Sequence, residues 1–312
     1  MTRIAAVDLG SLTVRLAVAE VVESGSFQVI LHLREITGLG REVAETGVLS
    51  RADQDRTLEA LRGFAGEMAA RGVTRGQGVA TQAVRQAQNG KEFLQEAADV
   101  LNLPVRLLSP EEEAYLTWRG VLSALDPKYL DDGPLLVFDV GGGSSEFILV
   151  RPGQEPTFAG LPLGVLSVSQ ARPLGDPPHP HKVEDLKREL RRTLQNFYQP
   201  RFGVLLEKSP LLVGTAGSVT TLAAVAQDMT EYDPARVNNY ILTKKEVAEL
   251  AALMAALPES ERARLPGIEP AKAGVMVAGA LIVQAILAVS GQDHLVAIDA
   301  GLLEGVLAEL AQ

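Results

Sequence analysis

The chain has 312 residues, a formal net charge of −10 at pH 7, 22% charged residues and no cysteine. At this length two domains are expected, each able to bury its core without staples. The lack of cysteine excludes disulfides, thiolate nucleophiles and Cys-ligated zinc, and the acidic balance argues against broad nucleic-acid binding.

In chain order, residues 3–9, 14–22 and 27–34 read as a strand meander whose first apolar run is interrupted by Asp8 and Arg15. That interruption excludes a signal peptide, so a cytoplasmic protein is expected. Ser50 caps a helix over about 51–71, with Leu58, Leu61, Phe64 and Met68 as its buried stripe and Asp53 at the capping-partner position. A strand ends at 77–81, a short helix covers 91–102 and a strand covers 104–108. Pro110 opens a helix to about 123. Residues 123–134, polar and with two prolines, read as an interdomain linker. A hairpin fills 135–150, and residues 162–165 are expected to close another strand pair. The proline-rich stretch 172–182 is expected to be a loop, with His179 and His181 as loop residues lacking a third metal ligand. Helix 183–197 places Val183, Leu186, Leu190, Leu194 and Phe197 on one face. Residues 211–226 read as strand, glycine turn and helix. Thr243 and Glu246 form a capping box for a helix to about 257. The apolar stretch 273–289 is short for a membrane span and reads as a buried core helix. Strand 295–298 and helix 301–311 complete an α/β pattern with mixed sheets.

Two stretches repeat one design. IAAVDLGSLTVRLAVA at 4–19 and LLVFDVGGGSSEFILV at 135–150 each hold an apolar run, an Asp, a tight turn and a second apolar run. Each is a hairpin whose turn offers backbone N–H groups and hydroxyls to an anion. The repeat predicts two related domains facing a shared cleft. Gly10, Ser11 and Thr13 are the candidate phosphate groups of the first turn, and Gly141, Gly142, Gly143, Ser144 and Ser145 those of the second. Gly214, Thr215, Gly217 and Ser218 form a third candidate anion site where a strand meets a helix N-terminus. Asp139 and Glu146 flank the second turn, as magnesium prefers, or else cap a turn and face solvent. Arg85 suits forked phosphate contacts or a surface ion pair. Glu111, Glu112 and Glu113 meet a helix dipole, and one of them is a candidate general base; residue chemistry leaves the choice open.

Taken as an ordered set, DLGSLTVRL (8–16), ATQAVRQAQNG (80–90), SPEEEAYLTWRGV (109–121), DVGGGSSEF (139–147), LPLGV (161–165), GTAGSVTTLA (214–223) and AGLLEG (300–305) resemble the exopolyphosphatase and guanosine pentaphosphate phosphatase (Ppx/GppA) family. That family belongs to the actin, Hsp70 and sugar-kinase superfamily, and this chain is similar to its short form. The resemblance implies two ribonuclease H-like (actin-like ATPase) domains, with mixed sheets flanked by helices and an interdomain cleft. Domain I would be about 1–124, with the C-terminal helix, 301–312, free to pack back on it, and domain II about 125–300. It implies a Mg²⁺-dependent (or other divalent cation-dependent) hydrolase releasing terminal phosphate from polyphosphate or a guanosine alarmone. By position, Glu113 becomes the base for the attacking water, Asp139 and Glu146 the metal carboxylates and Arg85 a phosphate-channel residue. No nucleic-acid or membrane partner is expected, and a homodimer is allowed. A non-catalytic sensor and an actin-like or sugar-kinase-like ATPase are the rival classes. The chain departs from the family pattern at Leu12 (Asn), Gly38 (Arg), Lys272–Ala273–Gly274 (R-A-D), Ile298 (Ser) and Leu303 (Arg). These exchanges remove polar or cationic groups, and those at Leu12, Gly38 and Leu303 motivate the sensor alternative.

Overall fold

The computed structural model describes residues 2–23, 25–130, 133–203 and 209–312. The chain divides into two compact units, Met1–Ser123 with Ala300–Gln312, and Ala124–Asp299. It begins with β1 (Arg3–Leu9), β2 (Thr13–Glu23), β3 (Ser26–Ile36), α1 (Val43–Thr46), α2 (Arg51–Ala70), β4 (Arg75–Ala80), α3 (Gln82–Gln86), α4 (Gly90–Leu101), β5 (Val105–Leu107) and α5 (Pro110–Ala124). The second unit adds β6 (Leu135–Val140), β7 (Ser145–Val150), β8 (Thr157–Leu161), α6 (Val165–Ala171), α7 (Pro180–Tyr198), β9 (Leu211–Thr215) and α8 (Ala216–Ala226). It continues with α9 (Pro234–Val237), β10 (Tyr240–Thr243), α10 (Lys244–Ala256), α11 (Glu259–Arg262), α12 (Met276–Ser290) and β11 (His294–Ala297). The last helix, α13 (Leu302–Leu310), packs on β1 of the first unit.

Both units are mixed sheets flanked by helices, and the repeat seen in the sequence extends to topology. The first sheet runs β3-β2-β1-β4-β5, an antiparallel meander continued by two parallel strands. In the second, β8-β7-β6-β9-β11 repeats that plan, and β10 adds an antiparallel edge.

Alternation along β1 sends Ala5, Val7 and Leu9 to one face and Ile4 and Ala6 to the other, and both faces are buried. The first face meets Leu58, Leu61 and Phe64 of α2 and Phe93 of α4. The second meets Leu116 of α5 and Leu303, Val306 and Leu307 of α13. α5 and α13 cross backbone to backbone. A Cβ on Gly120 would lie 1.8 Å from the Gly301 carbonyl oxygen, and one on Gly305 would lie 1.9 Å from that of Leu116. Leu303 is therefore a core residue of α13.

In the second unit Phe147 stacks with Phe138 at 6.4 Å and tilts against Phe197 at 5.1 Å. α12 is buried along most of its length against α6, α7, α8 and α10, which accounts for its continuous apolar sequence. No helix among the described residues is long and apolar enough to cross a membrane.

Several local expectations are corrected. Residues 162–165 close no strand pair, because β8 stops at Leu161 and Val165 already begins α6. A Cβ on Gly164 would lie 2.5 Å from the Gly142 backbone, so this segment presses against the hairpin turn instead of extending a ladder. The loop at 172–182 ends early. α7 starts at Pro180, where a missing N–H sacrifices no helical bond, and His179 and His181 stack across it at 5.9 Å. Residues 211–226 contain no separate glycine turn. β9 runs through Thr215, and α8 begins at once with Ala216 at φ 66°. Arg85 lies inside the one-turn helix α3. The short elements α1, α9, β10 and α11 are four residues each, too brief to show a period. Of the expected linker, Pro127–Leu130 forms a 3-10 turn, and positions 131 and 132 lie outside the described residues. Asn239 ties its start to unit two, donating to the Ala124 carbonyl (2.9 Å) and accepting from the Asp126 N–H (2.8 Å).

Candidate active site

Each hairpin turn is closed the same way. Gly10 N–H donates to the Thr13 carbonyl at 3.0 Å, and Gly141 N–H donates to the Ser144 carbonyl at 3.0 Å. The carbonyls behind each turn are then occupied by the next segment. Leu12 oxygen accepts from Thr37 and Gly38 at 3.1 and 2.9 Å, and Ser11 oxygen from Gly40 at 2.8 Å. Gly141 and Gly142 oxygens accept from Val165 and Leu166, the first turn of α6, at 3.0 and 2.8 Å. With the acceptors engaged, the turn N–H groups remain. Among the described residues, those of Ser11, Leu12, Gly142 and Gly143 donate to no protein acceptor. Backbone donors held this way form a concave anion-binding surface.

The strand register lines up the residues beside the second turn. Asp139 on β6 faces Glu146 on β7 and Thr215 on β9, giving one row across three neighbouring strands. Ser144 Oγ donates to Glu146 Oε1 at 2.6 Å, which fixes that carboxylate at the turn. Ser145 is fully buried and donates its hydroxyl to the Leu163 carbonyl at 2.6 Å, so its proton is committed to the fold. Thr215 and Ser218 are buried, and Ser218 Oγ lies 3.5 Å from the Val140 carbonyl oxygen. Ala216, between Gly214 and Gly217, holds a left-handed backbone that a non-glycine residue adopts at about 1–2 kcal/mol. That strain lets α8 start directly off β9, with its first N–H groups at the Asp139 end of the sheet.

Sequence reasoning missed one cation at this site. Lys272 is 6% exposed, and its Nζ lies 3.5 Å from where a Cβ on Gly217 would sit and 3.3 Å from Glu269 Oε2. A buried ammonium at the junction of β9 and α8 is a cation that an anion there could meet, alongside its ion pair with Glu269. The signal was the R-A-D-like position itself, where Lys keeps the charge of Arg.

The donor set suits magnesium. Two carboxylates lie opposite each other next to free backbone N–H groups, whereas Mg²⁺ takes one or two carboxylates and completes its shell with water and phosphate. No cluster of three or more His, Cys, Asp or Glu occurs among the described residues.

The first unit supplies a different pair. Glu113 on α5 is buried, and Arg85 Nη1 lies 3.4 Å from its Oε2 while donating to the Leu108 carbonyl at 2.6 Å. Its neighbours have other roles. Glu112 Oε2 accepts from Ser109 N–H at 2.8 Å as a helix cap, and Glu111 is exposed. Of the three glutamates, Glu113 alone faces Arg85 among the described residues.

Near the first turn, Asp8 is 2% exposed and accepts from Arg15 at 2.6 and 2.9 Å through Oδ2, while its Oδ1 is buried without a protein partner among the described residues. Gly38 is left-handed at φ 66°, and the Arg41 guanidinium lies over it, 2.9 Å from an ideal Cβ at position 38. The AGLLEG glutamate, Glu304, accepts from Gly301 N–H at 2.7 Å and lies 3.6 Å from His32. Burial raises its carboxyl above the ordinary range, against the pull of His32 and Arg15.

The family model of the Ppx/GppA phosphatase family matches residues 17–312. Exopolyphosphatase 2 of Mycobacterium tuberculosis is 30% identical over 100% of this chain and 99% of its own length. The crystal structure of the Aquifex aeolicus Ppx/GppA family member superposes with a TM-score of 0.81 at 30% identity, over 99% of this chain and 97% of that one. An exopolyphosphatase from Cytophaga hutchinsonii shares the fold with a TM-score of 0.88 at 22% identity, over 99% and 98% of the two chains.

Proposed function

The chain belongs to the Ppx/GppA phosphatase family, and on that premise we propose that it is a Mg²⁺-dependent phosphoanhydride hydrolase that releases terminal phosphate from inorganic polyphosphate or guanosine pentaphosphate. The observation that carries this reading is the Asp139–Glu146 pair, opposed across two strands beside a turn with free N–H groups. Phosphoryl transfer to water needs positioning and charge neutralisation more than covalent chemistry. When bound at Asp139 and Glu146, Mg²⁺ supplies that neutralisation at the phosphate oxygens. The turn amides and Lys272 hold the terminal phosphate. Arg85 fixes the Glu113 carboxylate, which the family resemblance assigns as the base that takes the proton when water oxygen bonds to phosphorus and the bridging P–O bond breaks. The leaving group is the shortened polyphosphate or guanosine tetraphosphate.

One panel tests the reading: phosphate release from polyphosphate, guanosine pentaphosphate and ATP, each with and without Mg²⁺. We expect release from one or both of the first two, with Mg²⁺ required. Binding without release would replace the enzyme by a sensor of the same fold, and turnover of ATP alone would make it an ATPase.

A further inference from the structure

Away from the hairpin turn, the second unit holds a pocket of about 100 Å³ between α6, the start of α7, α11 and α12. A water needs about 10–15 Å³ in this measure, so a molecule of several non-hydrogen atoms fits.

The pocket is built around a buried cation. Arg262 is 3% exposed. Its Nε donates to the Ala273 carbonyl at 3.1 Å, and its Nη1 donates to those of Met254 (3.3 Å) and Leu257. Three carbonyls hold the guanidinium still but bring no full negative charge. Among the described residues, no carboxylate oxygen comes within 4.0 Å of it, Nη2 donates to no protein acceptor, and the residue lines the pocket. Burial lowers its pKa, while the more distant Asp176 and Glu259 raise it. A buried cation with no contact counter-ion is an expensive arrangement that an incoming anion relieves.

Glu259 lies beside Gly274, its Oε2 3.2 Å from an ideal Cβ there. Asp176 accepts from Glu259 N–H at 2.7 Å through one oxygen only. The pocket thus presents one unpaired cation and two carboxylates. Its other arginine, Arg172, is already engaged by Glu189 at 2.8 and 2.9 Å. Leu174, Leu186 and Val277 supply apolar wall. A simple anion would be repelled by Glu259, and a simple cation by Arg262.

We propose that this pocket binds a free α-amino acid, with its carboxylate on Arg262, its ammonium on Glu259 and Asp176, and a small aliphatic side chain against Leu174, Leu186 and Val277.

The test is calorimetry and thermal shift on the full chain with L-alanine, L-valine and L-leucine. The controls are 3-methylbutanoate, which is valine without its amine, isobutylamine, which is valine without its carboxylate, and inorganic phosphate. We expect an aliphatic amino acid to bind and raise Tm, and each control to bind about 10–100-fold more weakly, the loss of one charged hydrogen bond. Gly274→Val should abolish amino-acid binding by filling the pocket wall that Gly274 lines. Glu259→Gln, at an exposed position, should erase the preference for valine over 3-methylbutanoate without affecting folding. Equal binding of 3-methylbutanoate or phosphate would make this a general anion site and overturn the proposal. So would the absence of any amino-acid response, or a Gly274→Val variant that still binds.

Discussion

The row beside the first hairpin turn reads Arg15, Asp8, Val79 across β2, β1 and β4. The matching row in the second unit reads Glu146, Asp139, Thr215 across β7, β6 and β9. The backbone plan is shared, down to the 3.0 Å bond that closes each turn. The charge is not. In the first row Arg15 neutralises the aspartate, and in the second a glutamate opposes it. The difference teaches how a duplicated fold divides labour. One hairpin closes its aspartate internally with Arg15, while the other sets a glutamate opposite its aspartate, the pair to which we assign the metal. The first unit then contributes a second pair, Arg85 with Glu113, which has no counterpart among the named groups of unit two.

The largest effect that sharpens this contrast is at Glu113. Glu113→Gln should cut phosphate release by about 10²–10⁴-fold while leaving ligand binding intact, because it removes a positioned base and keeps the shape. Glu112→Gln should change the rate little, since an amide oxygen still caps Ser109. Equal losses in the two variants would show that Glu113 is only a helix-dipole residue. Next comes the row itself. Glu146→Arg copies the Asp8–Arg15 pair into the second unit, and Asp139→Asn removes its other carboxylate. Each should raise the Mg²⁺ needed for half-activation by at least the roughly 10–100-fold that loss of a supporting group costs. An unchanged Mg²⁺ titration in both variants would remove the metal from this row.

The reverse change asks what Arg15 does. Arg15→Ala leaves the buried Asp8 carboxylate without its donor and should destabilise the chain by about 1–3 kcal/mol in urea unfolding. A variant as stable as the parent would mean that Asp8 is satisfied by other means. Leu12→Asn should act on ligand and not on folding. The Leu12 carbonyl is already held by Thr37 and Gly38, so only the side chain changes. A new donor to a charged phosphate is worth about 1.5–3 kcal/mol, and kcat/KM should rise by roughly tenfold. No change in either binding or rate would put side chain 12 outside the site.

The smallest contrast is between two helix caps. Glu246 caps α10 in unit two, and Glu304 caps α13 in unit one. Burial tends to raise Glu246, but hydrogen bonds from Thr243 and Tyr240 prevail and hold it below the ordinary glutamate range. Glu304, more deeply buried, is raised. The signs therefore differ. Glu246 adds stability above its unfolded pKa, and this is lost as pH falls through the depressed folded value. Glu304 adds stability below its unfolded pKa, and this is lost as pH rises toward its elevated folded value. Glu246→Gln should cost about 0.5–1 kcal/mol at pH 7, with the deficit fading in acid. Glu304→Gln should show no deficit at pH 7. Parallel pH–Tm curves for the two variants would contradict this.

The two-unit α/β plan was legible in the chain because hydrophobic runs, caps and the repeated Asp–glycine turns are local signals. The Ser50 and Thr243 caps formed with their expected partners, Asp53 and Glu246. The α12 stretch proved to be core, as its length required. The structure corrected the places where non-local contact overrides local pattern. Residues 162–165 look like strand but are pressed onto Gly142, and Pro180 looks like loop but opens α7.

The sequence by itself determined the family, through an ordered set of short motifs, and the two hairpins, each written in contiguous residues. Only the tertiary structure decided which of three adjacent glutamates meets Arg85, because that depends on the face of α5 turned toward α3. It also decided that Arg15 closes onto Asp8 while Glu146 faces Asp139, and that Lys272 reaches Gly217. Those pairings depend on strand register and on segments that meet only when the sheet is assembled, and a one-residue shift in register would turn the strand side chains Arg15 and Glu146 to the opposite face.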